Sequence, residues 1–163
     1  MQIRDETAQD AGAIAALITE AFRTAPHASG TEAQITAALR GAGALMLSLV
    51  AEDGGRVLGH VAASPARVGG AGEWALIGPL AVLPEAQHRG IGSALMQAAL
   101  ARLRPEVRGV ALVGDPDFYT RFGLRAFPHL TAPGVPAQYV LALPFNTAPP
   151  QGALSWHRAF DAP

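Results

Sequence analysis

The spacing of apolar residues in the first 45 positions predicts a short strand followed by two helices. Residues 1–4 are predicted as the strand, and Thr7 or Asp10 can cap the first helix. The apolar positions of that helix fall on one face, at Ile14, Leu17, Ile18, Ala21 and Phe22. After a loop with Pro26, His27 and Gly30, the second helix is expected from Thr31 to about Gly41.

Three apolar runs in the middle of the chain predict three strands. Residues 44–51 and 57–63 are separated by Glu52-Asp53-Gly54-Gly55, which indicates an antiparallel hairpin. A loose glycine-rich loop is expected at 69–72, and residues 74–82 are expected to form a long central strand. Because proline cannot donate to a sheet, Gly78-Pro79 inside that strand predicts a bulge or a splay.

The second half of the chain predicts further helices and strands. A helix is expected over 90–104, stopped by Pro105, with its apolar face formed by Ile91, Ala94, Leu95, Ala98 and Ala99. A buried strand follows at 109–113. Asp115-Pro116 then begins a short helix, which Gly123 is placed to end. With last strands at 124–127 and 139–143, the pattern predicts an α/β fold of the α+β type, a mixed sheet covered by helices.

Length and composition are those of one globular domain. With 163 residues, half of them apolar, the chain can bury a substantial core. We expect the domain to occupy 1–145. Residues 146–163, rich in proline and glycine, should form a tail that packs on the domain or extends it, with Trp156 and Phe160 as anchors.

Charge and residue usage exclude several classes of function. The net charge is −1 and lysine is absent, so no basic surface for nucleic acid is expected. Cysteine is also absent, and the histidines have no metal-ligand spacing, so we expect no metal. The first residues lack an export signal and the longest apolar run, 42–51, is too short to span a bilayer. We therefore expect a cytoplasmic protein that does not bind membranes.

Residues 80–96 carry the clearest chemical signal. A strand ends there, a loop with Gly90 and Gly92 turns, and a long helix begins, so free N–H groups and the positive end of the helix dipole form an anion site. Gln87 and Ser93 add side-chain donors. Many strand–loop–helix units bind nothing, and two familiar phosphate loops do not match: there is no Gly-Lys-Ser/Thr, and the glycine spacing differs from Gly-x-Gly-x-x-Gly.

Two segments resemble motifs of the GNAT acetyltransferase superfamily. Gln87-His88-Arg89-Gly90-Ile91-Gly92 matches its Gln/Arg-x-x-Gly-x-Gly/Ala signature, preceded by a similar strand exit, Val82-Leu83-Pro84-Glu85. Residues 118–124 resemble its second motif, and with Gly114-Asp115-Pro116 they look most like the YhbS-like branch. The sequence differs from the usual pattern of that superfamily in two ways. Leu124 replaces an aromatic residue, and the 74–82 strand has no glutamate in its middle.

The resemblance implies a GNAT fold and acetyl-CoA as co-substrate, with no metal. In that fold a mostly antiparallel sheet splays between strands 4 and 5. Main-chain groups of Leu80, Ala81 and Val82 would then pair with the pantetheine arm. The other cofactor-binding residues implied are Gln87, His88, Arg89, Gly90, Ile91, Gly92 and Ser93 around the pyrophosphate, together with Phe122 from the second motif.

The resemblance also implies transfer of the acetyl group to a primary amine of a small molecule or protein, by direct attack in a ternary complex. Tyr119 would protonate the departing thiolate, and Val82 N–H would stabilise the oxyanion. The base stays open between His60 on the third strand, a water relay, and an amine that is already neutral. Glu73 and Glu85 are expected to be solvated.

The sequence says less about the oligomeric state, the acceptor substrate and whether the protein is catalytic. Relatives often pair through late strands, which predicts a homodimer through residues 139–143. The acceptor is expected to contact the loops at 26–30, 67–72 and 130–138, whose sequences do not identify it. The alternative function is a non-catalytic acyl-CoA-binding module of the same fold. A P-loop-like nucleotide binder is excluded because that loop requires a lysine, which the sequence lacks.

Overall fold

The computed structural model describes residues 1–25 and 28–161. In this part of the chain the helices are α1 (Ala11–Phe22), α2 (Glu32–Gly41), α3 (Ile91–Leu103) and α4 (Pro116–Tyr119). The strands are β1 (Gln2–Asp5), β2 (Leu47–Asp53), β3 (Arg56–Val68), β4 (Ala71–Val82), β5 (Gly109–Val113), β6 (Leu130–Thr131), β7 (Val140–Pro144) and β8 (Gly152–Trp156).

The strands form one mixed and mostly antiparallel sheet. Its order is β1-β2-β3-β4-β5-β7, and β8 pairs with both β3 and β6. The β4–β5 and β6–β8 pairs are parallel, whereas the other pairs are antiparallel. The predicted α/β class and the helix-covered mixed sheet are confirmed.

Alternate residues of β3 face opposite sides of the sheet and pack against different elements. A Cβ atom on Gly59 would lie 2.9 Å from the side chains of Ile91 and Leu95, so Gly59, Val61 and Ala63 point to the side of α3. We call this side the α3 face. His60, Ala62 and Ser64 point the other way, to the opposite face.

The β3–β4 connection is tighter than expected. The sequence predicted a loose loop at 69–72, but Val68 pairs with Ala71, and Gly69-Gly70 alone makes the turn. Both glycines have positive φ, 58° and 82°, the conformation that two-residue hairpin turns require. As a result β3 runs to Val68, five residues beyond its predicted end, and β4 begins at Ala71.

The predicted strand at 124–127 is wrong. Leu124 and Phe127 are buried while Arg125 and Ala126 are exposed, which is not the two-residue period of a strand. Only Arg125 pairs, through an isolated bridge to Ala142. Pro128 follows directly, and a two-residue strand, β6, begins only at Leu130.

The C-terminal residues contribute a strand that the sequence did not predict. Leu154, Ser155 and Trp156 pair with Val68, Arg67 and Ala66 of β3. Trp156 also contacts Phe160 edge to face, with ring centroids 6.4 Å apart. Leu154 is buried in a cluster with Trp74, Leu76 and Val140 that covers the opposite face.

Candidate active site

A gap opens in the sheet between β4 and β5. The two strands pair only at Trp74–Gly109, Ala75–Val110 and Leu76–Ala111. Beyond Leu76 the β4 strand keeps its partner β3, but the register shifts: Ala63 pairs with Ile77 and Val61 with Leu80. Gly78 and Pro79 of β4 therefore oppose the single residue Ala62 of β3, so β4 has one extra residue here. The predicted bulge and the predicted splay between strands 4 and 5 are confirmed.

Main-chain groups of β4 line this gap at alternate residues. Leu83 N–H donates to Leu58 C=O at 2.9 Å, so by antiparallel alternation Ala81 pairs with His60 on the same side. Leu80 and Val82 therefore turn their N–H and C=O groups toward the gap. The expected main-chain contact of Ala81 with a cofactor is not supported, because its polar groups face β3; only its methyl group remains available.

The loop after β4 presents free donors beside the gap. Gln87 Nε2 donates to Val82 C=O at 3.2 Å, which ties the loop to the strand end. Gly90 has φ 81° and caps α3, and hydrogen bonding along the helix begins with Ala94 N–H donating to Gly90 C=O at 3.0 Å. The N–H groups of Ile91, Gly92 and Ser93 thus have no helical acceptor, as an anion site requires.

The side chains of this loop and helix start differ in accessibility. Exposed side chains belong to Gln87, His88 and Arg89, whereas Ser93 is half-buried. The side chain of Ile91 is buried in the core, so Ile91 can offer a ligand only its main chain. Residues 87–93 all lie at the start of α3, and their contact with a cofactor stays a prediction.

Phe118 packs beside the candidate site, and sequence reasoning did not select it. A Cβ atom on Gly92 would lie 3.6 Å from its ring and 3.8 Å from Val82 Cγ2, so Phe118 covers the start of α3. Its ring meets Phe122 at 5.2 Å, and the Arg121 guanidinium lies 5.0 Å from the Phe118 centroid. Its position directly before Tyr119 in the second motif was the available signal.

Tyr119 lies on the β5 side of the gap. Asp115 caps α4 by accepting from Asp117 N–H at 2.9 Å, and a Cβ atom on Gly114 would lie 2.5 Å from the Tyr119 ring. Because Gly114 follows β5 directly, this contact fixes the half-buried ring beside the strand end. Burial, with a contribution from Asp115, raises the pKa of Tyr119 to about 12. The phenol therefore stays protonated at neutral pH, as a proton donor must.

A buried polar network surrounds His60 of β3, the strand next to β4, on the opposite face of the sheet. His60 is fully buried, and its Nε2 is 2.8 Å from Ser48 Oγ. Ser48 donates to Glu6 Oε1, and Arg40 of α2 donates to both carboxylate oxygens, at 2.7 and 3.0 Å. His60 Nδ1 is buried with no partner in the described part of the chain. The sequence offered His60 as a strand residue but not these contacts.

This network should make stability depend on pH. Burial lowers the pKa of His60 to about 4, from 6.5 in an unfolded chain. As pH falls through 6.5 the unfolded chain takes up a proton that the folded protein does not, so stability decreases. We expect the free energy of unfolding to drop by about 2 kcal/mol between pH 7 and 5.

Urea unfolding of wild type and a His60→Gln variant at both pH values measures this contribution as the difference between the two. A His129→Gln variant, which changes an exposed histidine, should retain the wild-type dependence. An equal dependence in wild type and His60→Gln would contradict the buried, neutral state of His60.

Other predicted features are placed by the structure as follows. Glu85 lies at the surface and pairs with Arg56 at 2.7 Å. Residues 1–25 and 28–161 contain no cluster of three or more metal-ligating side chains, and no helix there is long and apolar enough to cross a membrane. The expected acceptor loop at 26–30 falls partly outside the described residues, since Pro26 and His27 are not among them.

Comparison with known proteins agrees with this geometry. The model of the Acetyltransferase (GNAT) family matches residues 6–124. The chain is 37% identical over 132 residues to the uncharacterized N-acetyltransferase YhbS of Escherichia coli K12, covering 79% of this chain and 76% of YhbS.

Two solved structures are similar over almost the whole chain. A GNAT family acetyltransferase from Brucella melitensis in complex with acetyl-CoA has a TM-score of 0.87 and 43% identity, covering 98% of this chain and 97% of that one. E. coli YhbS in complex with CoA has a TM-score of 0.88 and 31% identity, covering 99% and 92%.

Proposed function

This chain belongs to the acetyltransferase (GNAT) family, and on that premise we propose which of its residues carry out acetyl transfer and to what kind of acceptor. Its activity is transfer of the acyl group of acetyl-CoA, as in its family. The acceptor is a primary amine of a small molecule or of a protein N-terminus or side chain, which attacks the thioester directly while both substrates are bound.

The cofactor lies along the open edge of β4 and ends at the start of α3. Leu80 and Val82 pair with the pantetheine arm, because their main-chain groups face the gap. The free N–H groups of Ile91, Gly92 and Ser93 bind the pyrophosphate, with Gln87, His88, Arg89 and Gly90 around it and Phe122 behind Phe118. The similar structures solved in complex with acetyl-CoA and with CoA support the choice of this cofactor.

The observation that carries the catalytic proposal is the position of Tyr119. The gap is bounded by the free edge of β4 on one side and by Gly114 with the Tyr119 ring on the other. Tyr119 thus stands where its hydroxyl can give a proton to the leaving thiolate. Val82 N–H stabilises the charge that develops on the thioester carbonyl oxygen. The raised pKa of Tyr119 keeps that proton on the hydroxyl until the thiolate departs.

Several wider expectations stay predictions. These are the homodimer through residues 139–143, a cytoplasmic location, and the absence of metal, nucleic-acid and membrane partners. The division of the chain at residue 145 also stays a prediction. Pairing of β8 with β3 supports treating residues 146–161 as part of the same domain.

A ligand series followed by an amine panel tests the proposal. A ligand at 100 times its Kd stabilises the protein by about 2.7 kcal/mol, so CoA and acetyl-CoA should raise Tm while ATP and NAD leave it unchanged. Thiol release from acetyl-CoA is then measured with aliphatic diamines, aralkyl amines, amino sugars and dipeptides. Release with at least one amine supports the enzyme. Stabilisation by CoA without release from any amine would favour the non-catalytic acyl-CoA-binding module.

A further inference from the structure

Val113 is exposed at the place where the sheet opens. The other four residues of β5 are buried, but Val113 at its end is 45% exposed. Its partner on β7, Val140, is fully buried. Paired residues of neighbouring strands point to the same face, and Val140 belongs to the cluster that covers the opposite face. That cover therefore ends at β5, whose other edge borders the gap.

The opposite face is also covered on the β4 side of the gap. Arg4 pairs with Val50 and Val50 with His60, so these three side chains share the opposite face. Arg4 donates to Asp10, the residue before α1, at 2.8 Å, which places the start of α1 over these strands. Ala81, the partner of His60 on β4, is accordingly buried. An opening thus lies between two covered regions, at Val113.

Apolar side chains line this opening from both strands. β4 and β5 run parallel, and their last pair is Leu76–Ala111. Val113 is two residues beyond Ala111, and Gly78-Pro79 is two and three residues beyond Leu76, so they stand opposite each other across the gap. Gly78 and Pro79 are half-buried. The side chains that border the opening here are therefore the isopropyl group of Val113 and the ring of Pro79, and neither can form a hydrogen bond.

The proposed cofactor site leaves this opening to the acceptor. Side chains alternate along β5, so Leu112 and Gly114 point to the α3 face, where the Gly114 contact holds the Tyr119 ring. The free N–H groups at the start of α3 lie on the same face. An amine that attacks the thioester while the cofactor is bound must come from the side that the cofactor leaves free, which is the opposite face beside Val113.

We propose that Val113 and Pro79 select an acceptor whose amine is attached to a hydrocarbon group, an alkyl or aralkyl amine, an inference that rests on the proposed function. The carbon atoms next to the nitrogen contact the two side chains while the nitrogen bonds to the acetyl carbon and the carbon–sulfur bond breaks. One amine proton leaves to solvent, and Tyr119 protonates the sulfur and regains its proton from solvent. The products are the N-substituted acetamide and CoA.

Polar groups next to the amine are disfavoured at this position. A hydroxyl group of an amino sugar, or the peptide group that follows a peptide N-terminus, would lose water there and find no partner on Val113 or Pro79. An enclosed apolar pocket rejects an added hydroxyl group by about 10²-fold. Because Val113 is only partly covered, we expect a discrimination of about tenfold.

The wild type tests the class of acceptor. At saturating acetyl-CoA, kcat/KM is measured for 2-phenylethylamine, for its hydroxylated analogue 2-amino-1-phenylethanol, for an amino sugar and for a dipeptide. We expect the value for 2-phenylethylamine to exceed the other three by about tenfold or more. A wild type that prefers the amino sugar or the dipeptide overturns the inference.

The variant Val113→Thr tests the residue itself. It replaces one methyl group by a hydroxyl group, and threonine is as well suited to a strand as valine. The ratio of kcat/KM for 2-phenylethylamine to that for its hydroxylated analogue should fall about tenfold, with the Kd for CoA and Tm unchanged. Because both enzymes are given the same two amines, the difference in pKa between the amines cancels in this comparison.

Met46→Thr is the control for this substitution. Met46 is 43% exposed, close to the value for Val113, and precedes β2 away from the gap. Its replacement should leave the ratio at the wild-type value. An unchanged ratio in Val113→Thr, or an equal fall in Met46→Thr, overturns the inference and leaves the proposed function intact. If the wild type acetylates no amine of the panel, the proposed function fails first, and this inference with it.

Discussion

Replacing Tyr119 by phenylalanine should lower the rate of acetyl transfer about 10²- to 10⁴-fold, the usual effect of removing a general acid. The hydroxyl group is the only part lost. The ring would still pack on Gly114 and meet Phe118 edge to face at 4.9 Å, so the Kd for CoA and Tm should barely change. Turnover, CoA affinity by calorimetry and Tm are measured on one preparation.

Tyr139 provides the control for this substitution. It is the only other tyrosine, 40% exposed, and lies in the turn before β7. Tyr139→Phe should retain full activity. If Tyr119→Phe is also fully active, Tyr119 is a packing residue and the thiolate takes its proton from water.

Replacing Gly92 by valine should weaken CoA binding about 10²-fold or more, equivalent to about 3 kcal/mol. The N–H of Gly92 is one of three free donors at the start of α3, and the branched side chain would stand beside them. A single Cβ is in ordinary contact with Phe118 and Val82, at 3.6 and 3.8 Å, so Gly92→Ala should fold normally and lose less affinity. The two variants form a graded series that calorimetry with CoA measures.

The control for Gly92 is another helical glycine. A Cβ atom on Gly12, near the start of α1, would meet no atom within 4 Å, so Gly12→Val tests the effect of valine in a helix away from the site. Its CoA affinity should equal that of the wild type. Unchanged affinity in a folded Gly92→Val variant would contradict the assignment of the pyrophosphate to this loop.

Features encoded by short segments were predictable from the sequence. The bulge at Gly78-Pro79 follows from a proline that cannot donate, and the helix start after Gly90 follows from the strand–glycine–helix order. The cap at Asp115 is equally local: its carboxylate accepts from an N–H only two residues along. Each of these depends on groups within one turn or one strand, so the residues themselves carry the information.

Features that depend on pairing between distant segments were not predictable. The edge of β3 at Ala66, Arg67 and Val68 pairs with β8, far along the chain, and no local pattern indicates that partner. The two-residue period identifies which face His60 is on. It does not show that Ser48 and Glu6, from two other segments of the chain, would lie beside its Nε2 atom.

Pairing of β8 with β3 also determines the order in which the sheet can be completed during synthesis. Strands β1 to β5 and the loop at residues 87–93 are synthesised before residues 152–156. Until then Ala66 to Val68 present unpaired N–H and C=O groups on one edge, where β2 no longer reaches. An open edge of this kind accepts any strand that approaches it. Strand β8 thus closes this edge only when synthesis is nearly complete, and a prematurely terminated product should aggregate through that edge.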